Sequence, residues 1–130
     1  MKNGPRRIAW AERSMPVLRI VRERFERERP LSGQRIAACL PMGPETANLA
    51  LTLKAGGAEV TLCASNPLWT DDEIAASLAA DFGIATHAQG GGAASRRADN
   101  CDRVLACRPT ITLDDGAELV TILHERRRDL

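Results

Sequence analysis

The sequence is poor in aromatic residues and contains no long apolar run. Its 130 residues include two Phe, two Trp and no Tyr. A helix that crosses a membrane needs about 20 consecutive apolar residues, and the runs here are far shorter, so we expect no membrane partner. The basic start at 1–7 lacks the apolar stretch and cleavage site that follow in a secretory signal. We therefore expect a cytoplasmic protein.

The local spacings that are typical of zinc sites are also missing. The four cysteines form no CxxC pair, and none has a closely spaced histidine partner. Structural zinc sites commonly show such spacings, so we expect no bound metal. Reduced thiols that are mostly buried are the simpler interpretation. The four residues are Cys39, Cys63, Cys101 and Cys107.

Net charge is only +1, but the charge is distributed unevenly along the chain. Residues 1–35 hold ten Lys and Arg against four Asp and Glu, whereas residues 36–95 hold one against six. A basic first helix could contact nucleic acid, but the chain has neither interleaved aromatic residues nor a nucleic-acid motif. We expect no nucleic-acid partner. The alternatives are a solvated face or an interface with an acidic partner, including another copy of this chain.

The alternation of apolar runs and amphipathic segments predicts an α/β fold. With 44% hydrophobic and 27% charged residues, the composition is that of an ordinary globular chain, and 130 residues suit a single domain at 1–130. Parallel strands joined by helices predict an open, mostly parallel sheet of about four strands flanked by helices, a Rossmann-like or flavodoxin-like three-layer sandwich. The predicted helices are 14–29, 44–54, 71–82, 99–106 and 117–127; the strands are 35–40, 58–63, 84–88 and 109–113, with a flexible turn at 90–95.

Three predicted loops follow strands at the carboxyl ends, where open parallel sheets bind ligands. The loops are 41–46, 65–72 and 114–118, and their polar residues are strongly acidic. Carboxylates that converge on one crevice raise one another's pKa, which permits acid/base chemistry or cation binding. The alternative for each acid is helix capping. The polar residues are Glu45, Thr46, Asn66, Thr70, Asp71, Asp72, Asp114, Asp115 and Glu118.

Three further residues are candidates whose role the pattern leaves open. Trp69 in the second loop is either a core anchor or a flat wall for an aromatic ligand ring. His87 lies within a predicted strand and His124 within a predicted helix, so we favour structural roles for both. The chain contains no GxGxxG, P-loop or GxSxG motif. The residues alone therefore indicate an α/β domain with an acidic crevice and no identified reaction.

Several stretches carry a more specific pattern. They are Ile8-Ala-Trp-Ala-Glu-Arg-Ser-Met-Pro-Val-Leu18, Arg35-Ile-Ala-Ala-Cys-Leu40, Glu45-Thr46 with Gly56-Gly-Ala-Glu-Val60, Ala64-Ser-Asn-Pro-Leu68, and Leu113-Asp-Asp-Gly-Ala-Glu-Leu119. Together they resemble the amino-terminal, substrate-binding part of S-adenosyl-L-homocysteine hydrolase (adenosylhomocysteinase), particularly its archaeal and thermophilic bacterial forms. The resemblance covers nearly the whole chain, from Ile8 to Leu130.

The resemblance implies a larger enzyme with a redox cofactor. In that family a separate Rossmann domain holds NAD, which oxidises the ribose 3′-hydroxyl so that homocysteine can be eliminated. These 130 residues include no such domain. Without an oxidant the C4′ proton is not acidic enough to remove. We therefore expect no cofactor in this chain, and no NAD-dependent hydrolysis by this chain alone.

The sequence departs from the family pattern after the first strand. The family has Cys-Leu-His, a hydrophobic residue, Thr, a variable residue and then Glu-Thr. Here Pro41 stands at the place of the catalytic histidine, and Gly43 at that of a threonine that contacts adenosine. Glu45, on the adenine side, is retained, as is Thr46. The resemblance thus implies that the ligand side persists while an acid/base group is lost.

The second and third loops show a similar mixture. The family's Asn-Pro-Leu-Ser-Thr-Gln-Asp corresponds to Asn66-Pro-Leu-Trp-Thr-Asp-Asp72, so Trp69 adds bulk and Asp71 adds charge. Asp115 matches the family's aspartate beside the scissile region.

Three classes of function remain open at this point. The first is a module that binds adenosine, S-adenosylhomocysteine or a related ligand through Leu40, Glu45, Thr46, Asn66, Trp69, Thr70 and Asp114. The second is a small enzyme of a specialised biosynthetic pathway, in which Asp115 and Asp71, with Glu45, perform acid/base chemistry on a nucleoside-like or thioether substrate. The third is an interaction subunit, either a homo-oligomer or the partner of a larger or split enzyme.

Overall fold

The computed structural model describes residues 3–88 and 94–130, and for 94–97 it describes the backbone alone. Of the turn expected at 90–95, residues 90–93 lie outside this description. In chain order the elements are α1 (Gly4–Glu12), α2 (Pro16–Glu28), β1 (Arg35–Leu40), α3 (Pro44–Ala55), β2 (Glu59–Ala64), a 3₁₀ helix (Pro67–Trp69), α4 (Asp72–Ala80), β3 (Ala85–His87), α5 (Ala94–Leu105), β4 (Ile111–Asp114) and α6 (Glu118–Glu125).

The elements form three layers around one sheet. All strands are parallel, in the order β3-β2-β1-β4. Helices α3 and α4 cover one face of the sheet, and α1 packs on these two helices. Helices α5 and α6 cover the other face. This arrangement confirms the predicted α/β fold and the open parallel sheet. The chain runs from β1 outward to β3 and then returns to β4 on the far side of β1, so β1 lies at the switch point of the sheet.

Alternate residues of β1 face the two layers, as a fully buried strand requires. Ile36 and Ala38 pack with residues of α3 and α4, including Ala47 and Leu78. The intervening residues of β1, Ala37 and Cys39, pack instead with α5 and α6. The sheet therefore separates two apolar clusters.

Helix α1 is absent from the elements predicted from the pattern. It buries Gly4, Ile8 and Ala11, so its apolar stripe is narrow and two of the buried residues are small. Pro5 in the first turn and the three-residue step from Ile8 to Ala11 were the available signals. The omission matters because α1 packs on both α3 and α4.

A polar network joins the three helices at the start of the chain. The guanidinium of Arg22 in α2 donates to Glu12 Oε1 at 2.9 Å, to Asn48 Oδ1 at 2.8 Å and to Thr52 Oγ1 at 3.2 Å. Asn48, which is fully buried, in turn donates to the Ile8 carbonyl at 2.9 Å. The network thereby ties α2 and α1 to α3.

A tight turn leads from α3 into β2. Gly57 has φ +95°, and a Cβ at this position would lie 2.7 Å from Ser32 Oγ and 3.1 Å from Ser32 Cα. The position thus requires glycine for two reasons, the left-handed backbone and the close approach of another segment.

Within residues 3–88 and 94–130, each helix is too short or too polar to span a bilayer.

Candidate functional site

The last residues of the four strands, namely Leu40, Ala64, His87 and Asp114, define what we call the carboxyl edge of the sheet. Beyond this edge the loops after β1 and β2 are hydrogen-bonded to each other. The Met42 amide donates to the Trp69 carbonyl at 3.1 Å, and the Asp71 amide donates to the Met42 carbonyl at 2.9 Å. Met42 itself is buried. The two loops are therefore held as one unit at the carboxyl edge.

The loop after β1 presents Glu45 to solvent at the start of α3. The Thr46 hydroxyl donates to the Pro41 carbonyl at 2.6 Å, and the Gly43 amide donates to the same oxygen at 3.2 Å. These bonds fix the turn that begins α3. Glu45 is exposed in its first turn, where the positive end of the helix dipole stabilises a carboxylate. Leu40, at the end of β1, is half-buried against the core.

The loop after β2 holds Trp69 away from the core. Asn66 caps the 3₁₀ helix by accepting from the Leu68 amide at 2.9 Å, and the Thr70 hydroxyl donates to the Asn66 carbonyl at 2.8 Å. Trp69 is 68% exposed and Leu68 is 86% exposed. Of the two roles open for Trp69, the core anchor is thus excluded, and a flat exposed wall remains.

Asp71 has the contacts of a helix cap. Its Oδ1 accepts from the amides of Glu73 at 3.1 Å and Ile74 at 3.2 Å, at the start of α4. Its Oδ2 pairs with the guanidinium of Arg7 in α1. Both oxygens are therefore engaged, and the geometry matches capping rather than proton transfer.

Asp114 and Asp115 lie on the other side of β1 from the loop after β2. Asp114 Oδ2 accepts from the Leu119 amide at 2.6 Å and from the Val120 amide at 3.2 Å, so it caps α6. Asp115 is exposed. Because strands are spaced by about 4.8 Å, the ends of β4 and β2 are about 10 Å apart. The carboxylates predicted to converge are thus divided between two sides of β1.

Two cavities, of about 550 and 480 Å³, open beside the loops after β1 and β2. Arg7 lines both, so the cavities are neighbours. Glu45 lines the larger one together with Trp10 of α1, which is 69% exposed. Trp69 and Asp71 line the smaller one. Sequence reasoning missed Arg7 and Trp10, because α1 itself was not predicted.

His87 ends β3 and pairs in register with Cys63. Burial, and to a lesser extent Arg103, lower its pKa from the ordinary 6.5. As the pH falls through 6.5 the unfolded chain takes up this proton before the folded chain does, so stability that is present above pH 6.5 is lost as the pH falls from 6.5 through the lower pKa of the folded state.

We expect His87→Gln to remove this part of the pH dependence. Urea denaturation of both proteins between about pH 7 and about pH 5 should give a shallower decline in unfolding free energy for the variant. Equal declines in the two proteins would show that His87 does not titrate differently on folding.

Among the described residues, the group of His, Cys, Asp and Glu side chains close enough to share a metal ion is not in the loops. It consists of Cys39, Cys63 and Cys101, beneath the sheet. The loop carboxylates of Asp71 and Asp114 instead cap helices.

Comparison with known proteins gives a consistent result over the full chain. The sequence model of the family described as S-adenosyl-L-homocysteine hydrolase matches residues 1–129. An adenosylhomocysteinase of Thermosynechococcus vestitus is 48% identical over 128 residues, which are 98% of this chain and 30% of that protein. One of Aquifex aeolicus is 48% identical over 95% of this chain and 30% of its own length.

A relative named for a different nucleoside has a similar extent of match. An S-inosyl-L-homocysteine hydrolase of Methanosarcina acetivorans is 41% identical over 130 residues, which are all of this chain and 32% of that protein. The chain thus spans about 30% of the length of the curated relatives it matches.

Proposed function

Because this chain belongs to the S-adenosyl-L-homocysteine hydrolase family, we propose that it binds a purine nucleoside or its thioether at the carboxyl edge. Relatives named for S-adenosyl- and S-inosyl-homocysteine support a ligand of the adenosine, S-adenosylhomocysteine or inosine type. The observation that carries the proposal is the placement of Glu45 and Trp69 on adjoining cavities that share Arg7.

These two residues have complementary chemistry for a purine. An exposed indole offers a flat apolar face on which a base can stack, at about 1–3 kcal/mol per base. A carboxylate accepts hydrogen bonds only, so Glu45 suits the amino group of adenine or the N1–H of hypoxanthine. The bonds of Asn66 and Thr70 within their own loop hold Trp69 in place for stacking.

We assign ligand binding, and no redox step, to this chain. Pro41 has no side-chain group that can transfer a proton, and its carbonyl is used in the turn before α3. The chain spans about 30% of the relatives it matches, so the reaction of the whole relatives is not assigned to it, and neither is NAD. The same holds for catalysis by Asp71, whose carboxylate already caps α4 and pairs with Arg7.

We expect adenosine, inosine or S-adenosylhomocysteine to raise the melting temperature of the protein. A ligand at 100 times its Kd stabilises the folded state by about 2.7 kcal/mol, which for a domain of this size is about 10 °C. Glu45→Ala and Trp69→Ala should each weaken binding by roughly 10- to 100-fold, since a charged hydrogen bond or one stacking contact is lost. Thermal shift and titration calorimetry measure both effects.

The matched control is Glu26→Ala, which removes an exposed glutamate from α2, outside both cavities. It should leave the affinity unchanged. If none of the three ligands shifts the melting temperature of the unmodified protein, the proposal is wrong. If they do but Glu45→Ala and Glu26→Ala bind equally well, the ligand is held elsewhere.

A further inference from the structure

A single row of residues crosses the sheet one position before the end of β1. In register, His87 of β3 is paired with Cys63 of β2, Cys63 with Cys39 of β1, and Cys39 with Asp114 of β4. Side chains of paired residues leave a sheet on the same face. Cys39 and Cys63 thus point together into the layer of α5 and α6, where Cys101 of α5 packs with them.

The three thiols and one carboxylate lie close together in this layer. The sulfur atoms of Cys39, Cys63 and Cys101 all lie within 4.8 Å of one another, and Cys63 Sγ is 3.9 Å from Cys101 Sγ. Glu118 Oε2, at the start of α6, lies 3.8 Å from Cys39 Sγ and 3.8 Å from Cys101 Sγ. Four elements, β1, β2, α5 and α6, therefore each contribute one potential ligand atom.

The 3.9 Å between the Cys63 and Cys101 sulfurs and the two 3.8 Å distances from Glu118 are close to the edges of a tetrahedral metal centre. Two sulfur ligands about 2.3 Å from a zinc ion stand about 3.8 Å apart, and a carboxylate oxygen at about 2.1 Å stands about 3.6 Å from each sulfur. We propose that Cys39, Cys63, Cys101 and Glu118 form a binding site for a thiophilic divalent metal ion, with zinc as the expected ion. The site is separate from the nucleoside-binding residues and does not depend on them.

The donor set selects the class of ion. Soft thiolates favour zinc over magnesium or calcium, which prefer oxygen ligands. Cysteine binds a metal ion as the thiolate, so each thiol gives up a proton to solvent when it binds the metal. Glu118 is the first residue of α6, where the helix dipole stabilises its negative charge.

Glu118 also provides a route to the thiols. Cys39, Cys63 and Cys101 are buried, with at most 1% exposure, whereas Glu118 is half-buried beside the exposed loop residues 115–117. A metal ion can therefore meet the carboxylate first and then the sulfurs. Cys107, the fourth cysteine, is half-buried and lies outside the group of three, which makes it a matched control.

Cobalt(II) is a suitable spectroscopic probe for this geometry. The full chain, reduced and freed of metal by a chelator, should give with Co²⁺ the visible bands of a tetrahedral ion and a near-ultraviolet thiolate-to-metal band. One equivalent of Zn²⁺ should bleach both. A spectrum without the thiolate band would overturn the proposal, whether or not any variant folds.

Variants then assign the ligands. Cys63→Ser should lower zinc affinity at least roughly 100-fold and Glu118→Gln roughly 10- to 100-fold, since even partners that only orient a ligand cost 10- to 100-fold. Cys107→Ser should keep the affinity and the full thiolate band of the unmodified protein. Loss of that band in Cys107→Ser, or unchanged zinc affinity in Glu118→Gln, would contradict the four-ligand site.

If circular dichroism shows that Cys63→Ser is unfolded, the zinc affinities and thiolate bands of Cys107→Ser and Glu118→Gln decide the ligand assignment.

Discussion

Arg22→Met is expected to lower the free energy of unfolding by about 3 kcal/mol. The side chain is only 16% exposed, and its partner Glu12 is 32% exposed. Removing one member of a largely buried ion pair costs about 3–5 kcal/mol, because the other charge loses its compensation. Methionine retains much of the apolar stem of arginine, so the loss reports on the hydrogen bonds and the charge rather than on packing.

The expected effect is large because the partners of Arg22 belong to other helices. Asn48 Oδ1 loses the guanidinium and has no water-exposed surface, since Asn48 is fully buried. An unsatisfied buried acceptor costs about 1–3 kcal/mol by itself. The same residue holds the Ile8 carbonyl of α1, so loosening α2 also weakens the hold on α1.

Urea denaturation of Arg22→Met should be compared with that of Arg24→Met. Arg24 lies on the same helix, and its side chain is 65% exposed while it pairs with Glu28 four residues on. Such exposed pairs contribute about 0.3–0.5 kcal/mol. Similar losses in the two variants would contradict the inferred role of the Arg22 network.

Gly57→Ala is also expected to lower the free energy of unfolding by about 3 kcal/mol. At φ +95° a Cβ is strained by about 1–2 kcal/mol. It would also lie 3.1 Å from Ser32 Cα and 3.2 Å from Ser32 N, and overpacking of this kind costs about 1–3 kcal/mol. The backbone of Ser32 cannot rotate away as a flexible side chain could.

Gly33→Ala separates the two contributions. Gly33 has φ +79°, and no described atom lies within 4 Å of the position of its Cβ. Gly33→Ala should therefore lower the free energy of unfolding by about 1–2 kcal/mol, from backbone strain alone. Denaturation midpoints for the two variants give the difference directly, and a Gly33→Ala loss as large as that of Gly57→Ala would argue against crowding by Ser32.

The parts of the fold that the sequence predicts well are those in which local pattern and burial agree. The apolar run Arg35–Leu40 is fully enclosed by two layers, so its bounds as β1 were predicted without error. Helix α1 was missed because its stripe of Gly4, Ile8 and Ala11 is narrow. Gly4 lies close to α4, where a Cβ would be 2.7 Å from the Glu73 carbonyl oxygen, and no local pattern shows this tertiary contact.

The candidate site was predictable only as far as the loops were. In a parallel sheet the loops that follow the strands lie at the carboxyl edge, so the predicted topology was enough to identify Glu45, Trp69 and Asp71 as candidates. That β1 separates them from Asp114 and Asp115 was not predictable, because it depends on β4 lying on the far side of β1. Arg7, which pairs with Asp71, is 64 residues away along the chain.

The cysteine group shows the same limit. Spacing rules for zinc sites detect ligands that are close in sequence, and they indicated none here. Cys39, Cys63 and Cys101 come from three elements, and the register of β1 with β2, rather than any motif, brings the first two together.

Adjacent residues of β1 face opposite sides of the sheet. Cys39 packs with the other thiols in the layer of α5 and α6, while Leu40 packs against the core on the side of α3 and α4. Strand β1 therefore leads from the proposed metal site directly into the loop before α3, which carries Glu45. If occupation of one displaces β1, it alters affinity at the other, and thermodynamic reciprocity then requires the same factor in both directions. Measuring nucleoside affinity with and without zinc would quantify the allosteric coupling through this strand.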